Sequence, residues 1–91
     1  MRLISQDGTI DVPYEKMVIV ATGCYISAET PERHYSMAVY SDEEKTQKVM
    51  ESMREEYMQY LTARSNNYFF SMVNPKVFQF PEDNEVRVDE T

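Results

Sequence analysis

The stretch SDEEKTQKVMESMREEYMQYL, Ser41 to Leu61, most constrains what this chain can fold into. Ser41 and Glu44 have the spacing of a capping box, in which the hydroxyl accepts the Glu44 N–H and the Glu44 carboxylate reaches back to the Ser41 N–H. Asp42 and Glu43 suit the positive end of a helix dipole. Val49, Met50, Met53, Tyr57, Tyr60 and Leu61 recur at steps of three and four and make one apolar stripe. Lys48, Glu51, Glu55 and Gln59 lie off it. The spacing predicts a helix from Asp42 to about Ala63, ended by Ser65 to Asn67.

The sequence before the helix reads as strands. Arg2 to Ser5 is a short strand, and Asp7-Gly8 is a hairpin turn signal because glycine tolerates positive φ. Thr9 to Val12 alternates, with Ile10 and Val12 on one side, and Pro13 is expected to end the pairing because it has no N–H. Met17 to Ala21 is apolar on both faces and is expected to be a central strand. A turn at Thr22-Gly23 leads into Cys24 to Ala28, with Cys24, Ile26 and Ala28 on one face. His34 to Tyr40 follows, with Tyr35, Met37 and Val39 expected on one side. After the helix, Tyr68 to Val73 is aromatic and fits a strand or a second short helix. Lys76 to Phe80 is a late strand with Phe78 and Phe80 on one face. The fold class predicted is α+β: an antiparallel sheet of about five strands with one long amphipathic helix packed on it. One domain is expected over 1–91, with an acidic, solvated tail from about Glu82.

Composition narrows the function. The chain has 91 residues, 7 Met, 7 Tyr and no Trp. Met re-packs easily and Tyr carries a hydroxyl that needs a partner, so a core of this kind is suited to sharing surface with a second copy. The formal net charge is −7, which argues against direct nucleic-acid binding, since phosphate contact needs a basic face. The same acidity serves solubility or offers a phosphate-like surface to a basic partner. Cys24 is the only cysteine, which fits a reducing, cytoplasmic setting. The longest apolar run, Met17 to Ala21, is far short of a membrane span, and no secretory signal pattern is read.

No catalytic constellation is apparent. His34 is the only histidine, and a lone histidine at the start of a strand is ordinarily a surface or satisfied core residue. Cys24 lies in a strand, not at a helix N-terminus, and nothing in the sequence lowers its pKa. One Cys and one His do not make a zinc site, the acidic runs lack calcium-loop spacing, and two glycines make no phosphate-cradling loop. The chain is expected not to be an enzyme and to need no cofactor or metal. Binding is better supplied. A nucleotide-like ligand takes a guanidinium on phosphate and an aromatic face on the base. Arg54 borders the apolar stripe, Arg2 and Arg87 lie in the first and last segments, and Phe78 and Phe80 follow the helix. The plainer reading is that the phenylalanines are core and that Arg54 lies on the surface against Glu51 or Met58.

Three blocks carry a resemblance. The opening I-S-x-D-G-x-x-D-x-P-Y-E, the middle Y-S-x-E-E-K-x-x-x-V-M-x-x-x-R-x-x-Y and the closing F-x-F-P-x-D resemble a family of small phage and prophage proteins of Gram-positive bacteria. Together they cover nearly half of the chain. The chain is similar to the anti-Thoeris sponge proteins of phages, which sequester the cyclic ADP-ribose-type signal of a bacterial TIR immune enzyme and, in some members, cyclic oligonucleotides. The resemblance implies a cytoplasmic anti-defence protein of the bacterial host cell. It further implies a homo-oligomer with pockets between subunits, arginines on phosphates and an aromatic on adenine. By block, the implied ligand-binding residues are Arg54, Phe78 and Phe80. An alternative from a different class is an acidic anti-CRISPR-type inhibitor. In it Glu51, Glu55, Glu56 and the acidic tail mimic DNA and block a nucleic-acid-binding effector. An assembly protein without a ligand is a third.

Overall fold

The computed structural model describes residues 1–66 and 76–88. β1 (Arg2–Ile4) and β2 (Asp11–Pro13) form an antiparallel hairpin with Leu3 opposite Val12. The turn between them is tied by Asp7, whose carboxylate accepts from the Ser5 hydroxyl at 2.7 Å, the Thr9 hydroxyl at 2.7 Å and the Thr9 N–H at 3.0 Å. Gly8 follows with φ +78, the left-handed region the Asp-Gly pair anticipates. Pro13 does not stop the pairing but ends β2 opposite Arg2. That is tolerated because β2 is an edge strand. On the other side of β1 lies β6 (Val77–Gln79), running parallel to it with Phe78 beside Leu3. This first sheet therefore has the order β2-β1-β6.

The second sheet is antiparallel, in the order β3-β4-β5: β3 (Val18–Thr22), β4 (Tyr25–Glu29) and β5 (His34–Val39). Among the described residues the expected single sheet is thus two sheets of three strands, six in all, and one pair is parallel. Gly23 and Cys24 make the β3–β4 turn. Gly23 has φ +59 and no residue other than glycine has positive φ among those described, which is the signature of a type II′ hairpin turn.

Two strand expectations are corrected. Met17 to Ala21 was expected at the sheet centre, yet β3 is an edge strand and Val18 is 63% exposed. The centre belongs to β4, whose Ile26 and Ala28 are fully buried. The face assignment of β5 is interrupted by a bulge. Ile26 pairs with Ala38 and Ser27 with Ser36, so Met37 is an extra residue. Met37 and Ala38 are both buried and Val39 turns outward, 50% exposed, instead of joining Tyr35 and Met37. The β1–β2 turn fastens this bulge. The Gln6 N–H donates to the Met37 carbonyl at 2.8 Å. The Gln6 amide donates to the Val39 carbonyl at 3.1 Å and to the Pro81 carbonyl at 3.1 Å, and accepts the Val39 N–H at 3.2 Å. One amide side chain thereby links both sheets and the segment after β6.

α1 (Glu43–Asn66) is capped one residue later than the sequence suggests. Asp42, not Ser41, accepts the Lys45 N–H, at 2.8 Å, while the Ser41 N–H goes to Asp83 at 2.7 Å. Val49, Met50 and Met53 are buried in the core with Leu3, Ile26, Met37, Tyr40 and Phe80. Burial of one such side chain contributes roughly 1.5–3 kcal/mol. Tyr57 and Tyr60 extend the stripe partly buried, with the Tyr14 and Tyr57 rings 4.3 Å apart. Leu61, expected on the stripe, is 37% exposed.

The acidic stretch from Glu82 is not a free tail as far as Val88. Asp83 accepts from Ser41 and Lys45, Tyr40 donates its hydroxyl to the Pro81 carbonyl at 2.8 Å, and Val86 is buried. A short 3-10 turn at Asp83–Glu85 holds this shape. The Tyr68 to Val73 expectation lies outside the described residues.

Candidate functional site

Arg54 projects from the exposed side of α1. It lines a shallow groove of about 440 Å³ with Glu51, Glu55, Met58 and Gln59. The residues sit at helical steps, so one helix face supplies the whole lining. Met58, 61% exposed, forms the apolar floor. Arg54 has no ion-pair partner among the described residues.

Arg2 is placed differently. Its Nε donates to Asp11 at 2.8 Å, which neutralises it within the hairpin. Residues opposite one another in a ladder share a face, so Arg2 faces with Val77, and Leu3 with Phe78. Arg2 is exposed and Leu3 is buried, so Arg2 points outward and Phe78 and Phe80 inward. Within one chain, Arg2 and these two rings cannot line the same pocket. Phe78 and Phe80 meet edge to face at 5.3 Å, and Phe80 is 1% exposed. Arg87 is exposed beside the buried Val86. The candidate residues are therefore dispersed: one guanidinium on the helix without a described partner, one paired guanidinium on a strand, two rings in or against the core, and one arginine after the 3-10 turn.

Three features were missed by the sequence reading. A groove of about 580 Å³ at the start of α1 is lined by Glu43, Glu44, Gln47, Lys48, Glu51 and Val88. A second, of about 430 Å³, brings Gln6, Gln79 and Phe80 together with Glu82 and Glu85. The third is the outer face of the second sheet, where Val18, Tyr25 and Val39 are all exposed. Only strand register reveals that these three share a face: Thr22, Tyr25 and Val39 form one row across the sheet, and Val18 and His34 flank Glu29 in another.

Electrostatics mark the hairpin turn and the helix start. Hydrogen bonds from Ser5 and Thr9 lower the Asp7 pKa from 3.8 to about 2. The Ser41 N–H, reinforced by Lys45, holds Asp83 below the usual carboxylate range. Burial, with Asp83 and Glu85 nearby, pushes the Tyr40 hydroxyl well above its ordinary value. The Ser27 hydroxyl donates to Glu29 at 2.9 Å. Among the described residues no three His, Cys, Asp or Glu side chains converge to hold a metal.

Comparison with known protein families, with curated proteins and with solved structures gave no match. No described helix is long and apolar enough to cross a membrane.

Proposed function

We propose that this chain is a binding protein that sequesters a phosphate-bearing nucleotide signal of the cyclic ADP-ribose type, as an anti-defence protein of phage origin acting in the bacterial cytoplasm. The observation that supports it is Arg54, a guanidinium with no ion-pair partner among the described residues, beside an exposed methionine floor. A guanidinium binds phosphate in a fixed fork, and an apolar floor accepts a base or ribose. Glu51 and Glu55 edge the same groove and repel an anion. A complete site therefore draws cations from a second copy, and the ligand is held where two chains meet. Binding without chemistry suffices for this role.

Isothermal titration with cyclic ADP-ribose and its glycosidic isomers tests the reading. Wild type is expected to bind one of them, and Arg54→Ala to bind it at least about tenfold more weakly with an unchanged circular dichroism spectrum. Equal affinity in the two proteins removes Arg54 from the site, and no heat with any of these nucleotides overturns the reading.

A second reading is favoured by the groove at the start of α1. Glu43, Glu44 and Glu51 face Lys48 alone, and none of the three pairs with a described cation. Such a face fits the basic groove of a nucleic-acid-binding effector. An acidic mimic loses affinity steeply as salt rises, whereas a nucleotide held between apolar walls depends on salt less.

A further inference from the structure

The edge of β3, which no described residue pairs with, carries an inference of its own. Sheet edges invite pairing, and proteins block them with charges, prolines, bulges or covering groups. The far edge of β5 is blocked here, because the Gln6 side chain bonds both backbone groups of Val39 and its N–H bonds the Met37 carbonyl. The edge strand β2 carries Asp11 and ends in Pro13. Among the described residues β3 has none of these devices. Val18-Ile19-Val20-Ala21-Thr22 is mostly β-branched, regular in register and without charge, in a chain of net charge −7.

Its outward groups follow from the turn. In a two-residue hairpin the closing pair, Thr22 with Tyr25, exchanges hydrogen bonds, and bonded and non-bonded pairs alternate from there. Val20 and Val18 thus bond to β4, and the N–H and C=O of Ile19 and Ala21 point away from it. No described residue accepts or donates to them.

We propose that β3 pairs antiparallel with β3 of a second copy about a two-fold axis through Val20, joining two three-stranded sheets into one of six strands. The strand is complementary to itself in this register. Ile19 of one chain lies opposite Ala21 of the other, large against small, on the core side. Val18 lies opposite Thr22 and Val20 opposite Val20 on the outer side. No charged side chains are brought face to face, so two acidic copies can approach along this neutral edge without setting like charges together. Val18 gains a neighbour, and the exposed rows of the two sheets become one surface. A single strand pair buries less than the roughly 800 Å² per partner of a standard interface, so dimerisation is expected at about micromolar concentrations or above. The pairing needs no ligand and stands or falls separately from the nucleotide reading.

The test is sedimentation velocity across a concentration series, with amide hydrogen exchange on the same samples. Wild type is expected to dimerise as concentration rises, with slowed exchange at Ile19 and Ala21. Ala21→Pro removes an outward N–H and leaves the bonds to β4 intact. Val20→Lys sets two like charges on the axis. Each variant is expected to keep its circular dichroism and weaken the dimer at least about tenfold. Three results overturn the proposal: a wild type that stays monomeric at about millimolar concentration, amides of Ile19 and Ala21 already protected in the monomer, or a dimer that both variants preserve.

Discussion

Asp7 is an exposed carboxylate that three donors of its own turn surround. Its pKa is lowered from 3.8 to about 2. A carboxyl group depressed in the folded state adds stability above its unfolded value and loses it as pH falls through the folded one. Stability is therefore expected to drop between about pH 4 and pH 2, and Asp7→Asn to flatten that drop, as urea midpoints measured across the window will report. Asp83 is shifted in the same direction, so the double variant with Asp83→Asn should be flatter still. Gly8 adds a backbone constraint. A Cβ there would meet only Gln79 Nε2, at an ordinary 3.7 Å, so the objection to a side chain is φ rather than space. Gly8→Ala should cost about 1–2 kcal/mol in urea unfolding, and Gly8→Asn less. This turn was legible because Asp-Gly is a local signal. The separation of Arg2 from Phe78 was not, because it depends on a pairing between strands far apart in the sequence.

The helix was legible in extent and stripe, since periodicity needs no partner to be read. Its cap was read one residue early: Ser41 and Asp42 both fit, and the choice is made by Asp83, which takes the Ser41 N–H. Asp42→Ala is accordingly expected to cost about 1 kcal/mol in thermal or urea unfolding and Ser41→Ala distinctly less, the reverse of a Ser41 cap. The strands were legible as strands but not in rank or face. Apolar character at Val18 to Ala21 resembles a buried central strand, although β4 occupies the centre. Alternation in β5 fails at Met37, where the bulge moves every later side chain to the other face. That bulge depends on Gln6. Gln6→Glu replaces the donor facing two carbonyls with a carboxylate, and should destabilise by roughly 1–3 kcal/mol, measured by chemical denaturation.

The molecule measures 40 × 39 × 19 Å along its principal axes. A body this thin has a limited interior, and Leu3, Ile26, Met53 and Phe80 are among the few large side chains in it that are almost wholly buried. Charge acts across the same thickness. Raising sodium chloride from about 0.01 to 0.1 M shortens the screening length from about 30 to about 10 Å, from longer than the thin axis to shorter than it. With net charge −7 the acidic groups then repel one another less, and the melting temperature is expected to rise. A fall would show that pairs such as Lys45 with Asp83 and Lys76 with Glu56 outweigh the general repulsion.

The parallel union of β1 with β6 also sets an order of events. The β1–β2 hairpin closes a short loop and can form as soon as its residues are free to move. Its other edge has no partner until the whole of the second sheet, the helix and the following segment exist, because β6 comes after all of them. Closing so long a loop is entropically unfavourable and slow compared with local pairing. Docking of β6 is then expected to come late, so substitutions at Phe78 or Phe80 should mainly speed unfolding and substitutions at Gly8 mainly slow folding, as stopped-flow rates will report.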